Sequence, residues 1–177
     1  MVDTVRVINC MREFRLNVCV NLQDVHTLFP HGKFYRGRPK MLVINMSCGR
    51  NVQLFPNGCA QILGNVSLSN AKSMSDELIH YLRQLYPHIQ MGPLTLKNLV
   101  VSARLNAPVP LHRLKRSSST LSYEPELFPA MLLRRYHPVH IAVFHTGRCI
   151  ITGLHSVEQG QHIVHKLTKY LRKKIIM

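Results

Sequence analysis

Two asparagines, Asn9 and Asn98, each stand two residues before an apolar side chain, Met11 and Val100, in stretches whose composition predicts strands. On a strand, residues two apart share a face, so each pair points together, as do Gln53 with Phe55, Gln61 with Leu63, Ala142 with Phe144, and Ile150 with Thr152. Such a face mixes amide, hydroxyl, aliphatic and aromatic groups without charge. It is too polar for an ordinary core and too apolar for free solvent. The chemistry it suits is contact with the floor of a DNA minor groove. There an amide meets the acceptors of A·T pairs, aliphatic groups pack on bases that lack the guanine amino group, and Phe at a strand end wedges between base steps. Phe55 and Phe144 also fit a plain core assignment; their repetition beside Asn9 and Asn98 favours the groove.

Other chemistries find less support. Cys10, Cys19, Cys48, Cys59 and Cys149 are scattered, with no C-x-x-C pair, and read as reduced thiols of an intracellular protein. His162 and His165 form an H-x-x-H pair without further ligands, so no metal site and no cofactor are expected. Paired carboxylates, a Ser-His-Asp set and a phosphate loop are all lacking, and the chain is not expected to be an enzyme. With 46% hydrophobic and 18% charged residues it is expected to fold as a globule, and no run approaches the roughly 20 apolar residues of a membrane span. The expectation is a soluble, unsecreted protein with no membrane partner, and the early start of the first strand predicts an isolated core domain. The 23 Lys and Arg against 8 Asp and Glu give a formal charge of +15, the footprint of a polyanion binder, with nucleic acid as the first partner to consider.

The elements that position these residues come in two copies. At a constant offset of 89, Asn9 matches Asn98, Arg15-Leu16 matches Arg104-Leu105, Val20 matches Val109 and Leu22 matches Leu111. The shift continues through Phe55 and Phe144, Gly58 and Gly147, Ile62-Leu63-Gly64 and Ile151-Thr152-Gly153, to Tyr81-Leu82-Arg83 and Tyr170-Leu171-Arg172. Two units, 1–90 and 91–177, are therefore expected. Each opens with a strand (5–14 or 96–104), passes through a short helical stretch, and continues with strands at 41–46 and 51–55, or 130–135 and 139–144. Ser47-Cys48-Gly49-Arg50 supplies a hairpin turn, and Pro56-Asn57-Gly58 and His145-Thr146-Gly147 turn the chain into a further strand ending at Gly64 or Gly153. A long helix closes each unit. Met74, Leu78, Ile79, Leu82, Leu85 and Tyr86 recur at helical spacing, as do Ile163, Val164, Leu167, Tyr170 and Leu171, and Ser156 followed by Gln159 predicts a capping-box start. The helices bury these stripes against a sheet, leaving its other face open.

Tyr123-Glu124-Pro125-Glu126-Leu127-Phe128-Pro129 and the run Val143 to Gly153 closely resemble the second repeat of the TATA-box-binding-protein family, and Ile8-Asn9-Cys10-Met11 with Phe55 to Gly64 resemble the first. The resemblance implies an α+β saddle of two pseudo-symmetric repeats, a curved ten-stranded antiparallel sheet with helices on the convex face. It implies a transcription initiation factor that binds and bends A·T-rich promoter DNA and recruits a B-type initiation factor and RNA polymerase, with further factors on the convex face. By position, Phe128 and Phe144 are the intercalating pair, Asn98 and Thr152 hydrogen-bond near the centre of the site, Val100 and Ile150 touch bases, and Arg134 and Arg148 grip phosphates. In the first repeat the matches are Asn9, Met11 and Phe55, with Met41, in Pro39-Lys40-Met41, as candidate for the other wedge. Glu124 and Glu126 fall in the loop that the family uses to dock the B-type factor.

The first repeat departs from the pattern. Leu63 replaces the threonine expected opposite Thr152, Gln61 replaces an aliphatic contact, Glu13 brings a carboxylate near the phosphates, and Cys59 stands where a phosphate-binding lysine is usual. Charge is lopsided too: residues 1–90 hold 10 basic and 5 acidic side chains, residues 91–177 hold 13 and 3. Weakened or altered first-repeat DNA contact is expected, and a protein-interaction platform without TATA specificity is the competing reading. Lys166, Lys169, Arg172, Lys173 and Lys174 are expected to face outward, either as a solvated helix face or as a contact for protein or upstream DNA. The basic balance resembles eukaryotic-type members of the family and points to the nucleus.

Overall fold

A computed structural model describes residues 5–115 and 120–176. Among the described residues two compact units emerge, one within 10–97 and the other formed by 5–9 with 98–115 and 120–176. The first holds β1 (Arg6–Arg15) from Cys10 onward, then α1 (Leu22–Leu28), β2 (Lys33–Tyr35), β3 (Met41–Asn45), β4 (Asn51–Leu54), β5 (Cys59–Gly64) and α2 (Leu68–Leu82). Its strands lie in the order β2-β3-β4-β5-β1, each paired antiparallel with its neighbour. The second repeats the plan with β6 (Thr95–Arg104) from Asn98 onward, α3 (Leu111–Lys115), β7 (Leu121–Ser122), β8 (Ala130–Leu133), β9 (His140–Phe144), β10 (Arg148–Leu154) and α4 (Val157–Ile176). Its order is β6-β10-β9-β8-β7, again antiparallel.

Strand alternation and helix periodicity build each core. In the first unit Phe14, Leu42, Ile44, Val52, Leu54 and Ile62 turn one way and are buried with Met74, Leu78 and Leu82 of α2. In the second, Val101, Met131, Leu133, Ile141, Val143 and Ile151 are buried, as are Val164, Leu167 and Leu171 of α4. The helix starts follow the local capping chemistry. Ser67 Oγ accepts from Asn70 N at 3.1 Å; Ser156 Oγ accepts from Gln159 N at 3.1 Å while Gln159 Oε1 accepts from His155 N at 2.8 Å, so each relieves orphan donors of a first turn.

Several element ends differ from expectation. Helix α2 stops at Leu82, and Leu85 and Tyr86 lie in a tight exit turn, with Leu85 N donating to Leu82 O. Pro87 explains the stop, because its ring disfavours helical backbone at Tyr86. The Tyr86 hydroxyl instead accepts from Asn21 N at 2.9 Å, tying the exit turn to the start of α1. Strand β8 ends at Leu133 rather than Arg135, and the turn through Tyr136 and Pro138 delivers the chain to His140.

The turns into β5 and β10 require glycine. Gly58 and Gly147 have φ of +77° and +82°, and a Cβ on them would lie 2.3 Å from Val18 O and 2.7 Å from Ala107 O. Their amides donate to Phe55 O and Phe144 O, which fixes the two aromatic residues at equivalent strand ends.

Candidate nucleic-acid interface

On the face that the helices leave open in the second unit, every second residue is only half-buried between buried neighbours: Leu132 on β8, Ala142 on β9, Ile150 on β10, and Val100 and Ser102 on β6. Leu132 pairs with Ala142, Ala142 with Ile150, and Ile150 with Ser102, so four neighbouring strands present one uncharged row. Thr152 adds a hydroxyl beyond that row, opposite His140. Asn98 is half-buried, and its Oδ1 accepts from Gly153 N at 2.9 Å, where the β6–β10 register shifts. That bond consumes the acceptor and orients the amide, leaving Nδ2 to donate.

At the other end of the face Phe144 stands opposite Ala130. Phe128 is 44% exposed and meets Phe144 edge-on, ring centroids 6.2 Å apart at 62°. Two bonds hold Phe128 there: Glu124 O accepts from Leu127 N and from Phe128 N, closing the turn that also exposes Glu124, Glu126 and Leu127. Arg148 lies opposite Arg104 at the strand ends, both exposed, and Arg134 is exposed just after β8. Asn98, Val100, Phe128, Phe144, Ile150 and Thr152 therefore share one face of one unit, with Arg148 at its margin. Residue-by-residue reading passed over Ser102, Arg104 and Leu132, although the offset of 89 carries Glu13, Arg15 and Val43 onto them.

The first unit sets a different row in the same register. Val43 pairs with Lys33 and Gln53, Gln53 with Gln61, and Gln61 with Glu13. Gln61 Nε2 donates to Glu13 Oε2 at 3.0 Å, and Lys97 Nζ lies 3.7 Å from Glu13 Oε1. The Gln61 hydrogen bond holds the Glu13 carboxyl below its ordinary range against the opposing pull of burial, helped by Cys59, Lys97 and Arg15. Burial, then the nearby Glu13 charge, pushes the Cys59 thiol up. Glu13 closes this row opposite Gln61, the position that Ser102 holds opposite Ile150 in the second unit.

Leu63 is 37% exposed opposite Met11, Phe55 is half-buried, and Asn9 is exposed. Met41 was the candidate counterpart of Phe128. The offset runs unbroken through the unit, so Pro39 takes the position of Phe128 and Met41, half-buried at the start of β3, takes that of Ala130. Lys166, Lys169, Arg172 and Lys173 are exposed on α4. The five cysteines are free, and among the described residues no group of His, Cys, Asp or Glu is placed to hold a metal ion.

The family described as "Transcription factor TFIID (or TATA-binding protein, TBP)" matches residues 93–174. The TATA-box-binding protein of Methanothermobacter thermautotrophicus is 26% identical over 165 residues, 92% of this chain and 91% of that one. The chain is similar to the TATA-binding-protein family in both sequence and fold. A second family member, from Pyrodictium occultum, is 29% identical over 119 residues, 62% of this chain and 59% of its own length. Among solved structures, Methanococcus jannaschii TBP superposes with a TM-score of 0.81 at 20% identity, covering 96% of this chain and 99% of that one. That likeness places the chain in the family's α+β fold. The family model covers the second unit, the one whose open face is uncharged.

Proposed function

We propose that the protein is a transcription initiation factor that binds A·T-rich promoter DNA in the minor groove, bends it, and recruits a B-type initiation factor and RNA polymerase. The observation that carries this reading is the second unit's open face. Asn98 offers an oriented amide donor, Val100, Ala142 and Ile150 offer apolar contact, and Phe128 and Phe144 form an accessible aromatic pair beside them. Those groups answer the minor groove's needs in turn: a donor for A·T acceptors, aliphatic surface where no guanine amino group intrudes, and wedges for an opened base step. Arg104, Arg148 and Arg134 supply cations for the flanking phosphates. The exposed Glu124 and Glu126 are the docking acids for the initiation factor, and the protein acts where the genome lies, in a nucleus or a nucleoid.

The test is binding to an A·T-rich duplex carrying a bend reporter, with and without Phe128→Ala plus Phe144→Ala. Tight, bent binding that the double variant loses is expected. Weak, unbent binding indifferent to sequence would leave the second reading, an interaction platform, which the Glu13–Gln61 row favours. Glu126→Arg is expected to abolish recruitment of the initiation factor at unchanged DNA affinity; retained recruitment rejects that partner site.

A further inference from the structure

Position by position, Lys33, Val43, Gln53, Gln61 and Glu13 of the first unit correspond, at the offset of 89, to Ser122, Leu132, Ala142, Ile150 and Ser102 of the second. The cross-strand pairs are the same in both. Three of the five exchanges, at Gln53, Gln61 and Glu13, put amides or a carboxylate where the second unit has Ala142, Ile150 and Ser102.

Gln61 donates one Nε2 hydrogen to Glu13 Oε2 and keeps Oε1 as an acceptor beside its second Nε2 hydrogen, whereas the ionised Glu13 carboxylate only accepts. Glu13 stays ionised because its carboxyl is held below the ordinary range. Against an A·T minor groove the Glu13 carboxylate is mismatched, since adenine N3 and thymine O2 are acceptors and would face an acceptor. The guanine 2-amino group is the one donor on the minor-groove floor. Lys97, 3.7 Å from Glu13 Oε1, offsets the carboxylate's repulsion from the phosphates.

Resting on the DNA-binding reading above, we propose that Gln61 and Glu13 accept hydrogen bonds from guanine 2-amino groups, so that the first unit selects a G·C-containing half-site while the second selects A·T. The protein then reads an asymmetric element, and the polar row fixes its orientation on the promoter.

Base analogues test this without altering the protein. Duplexes bound by the full chain are selected from a random pool, and each guanine of the recovered half-site is then replaced by inosine, which lacks only the 2-amino group. Affinity is expected to fall about tenfold for each contacted guanine, the scale of one hydrogen bond to a charged or amide acceptor. In the variant Glu13→Ser plus Gln61→Ile, which carries the second unit's residues, inosine is expected to make no difference and the selected half-site to shift to A·T. Recovered sites that are A·T throughout, or guanines indifferent to inosine, overturn the inference and leave the DNA-binding reading standing. Capture of an arginine-rich peptide by this face, with duplex protection confined to one half-site, overturns it as well. Failure to bind any duplex overturns both.

Discussion

Arg148 stands directly opposite Arg104 across the β10–β6 ladder, and both guanidinium groups are exposed at the strand ends. Like charges placed so are mutually unfavourable, by about 0.2–1 kcal/mol in a sheet, unless an anion lies between them. The first unit lacks the conflict, because Arg15 faces Cys59 there. Arg104→Ala or Arg148→Ala is expected to leave thermal stability unchanged or slightly raised, while each lowers the slope of log affinity against log salt by about 0.9. Affinity measured across a salt series reads this directly; an unaltered slope removes these residues from phosphate contact.

Asn98 combines two roles that a substitution can separate. Its Oδ1 accepts from Gly153 N, and its Nδ2 remains to donate. Asn98→Asp keeps the acceptor and loses the donor, so stability is expected to hold while affinity for A·T-rich duplex falls at least tenfold, a carboxylate meeting base acceptors. Asn98→Ala is expected to lose both, with about 1 kcal/mol of stability gone from the unpaired amide. Denaturant unfolding and duplex titration of the two variants distinguish the roles; equal affinity of Asn98→Asp and wild type would remove Asn98 from base contact.

Gly58 and Gly147 are expected to tolerate no side chain. Besides positive φ, a Cβ on Gly58 would meet Val18 O at 2.3 Å and one on Gly147 would meet Ala107 O at 2.7 Å, both immovable backbone. Gly49 shares the positive φ, +71°, but has open space around it. Gly49→Ala should cost about 1–2 kcal/mol, the left-handed penalty alone, and the other two clearly more. Urea midpoints of the three variants check the order, and equal losses would contradict it.

Acid should weaken the first unit through Glu13. Its folded-state pKa lies below the unfolded value of about 4.3, so its stabilising contribution is complete at neutral pH and is lost as pH falls through the folded value. The stability difference between wild type and Glu13→Gln is expected to be widest near neutrality and to vanish in strong acid. A difference independent of pH would mean that the Gln61 and Lys97 contacts contribute nothing to folding.

Thiol chemistry should sort the five cysteines. Cys19 and Cys48 are exposed and are expected to alkylate rapidly in the native protein, whereas Cys10, Cys59 and Cys149 are buried. Burial pushes the Cys149 thiol up to about 12, so its reactive thiolate is scarce even in mild alkali. Mass spectrometry after brief iodoacetamide treatment should find two modified sites, and five after denaturation; native modification of Cys149 would contradict its placement.

Much of this was legible in the residues. The alternation in each strand and the helical stripes depend on neighbours within a few positions, so together with the offset of 89 they identified the repeated order of elements and the face shared by Asn98 with Val100 or Ala142 with Phe144. Ser156 and Gln159 announced the start of α4 for the same reason, capping being local. Which strand residues lie side by side was not legible, because register is fixed by turns and by packing between segments far apart in the chain. Tertiary structure alone set Arg104 against Arg148 and joined Glu13 to Gln61 and Lys97 across 48 and 84 positions. Local sequence chose the groups available to the open face; long-range pairing decided which of them act together.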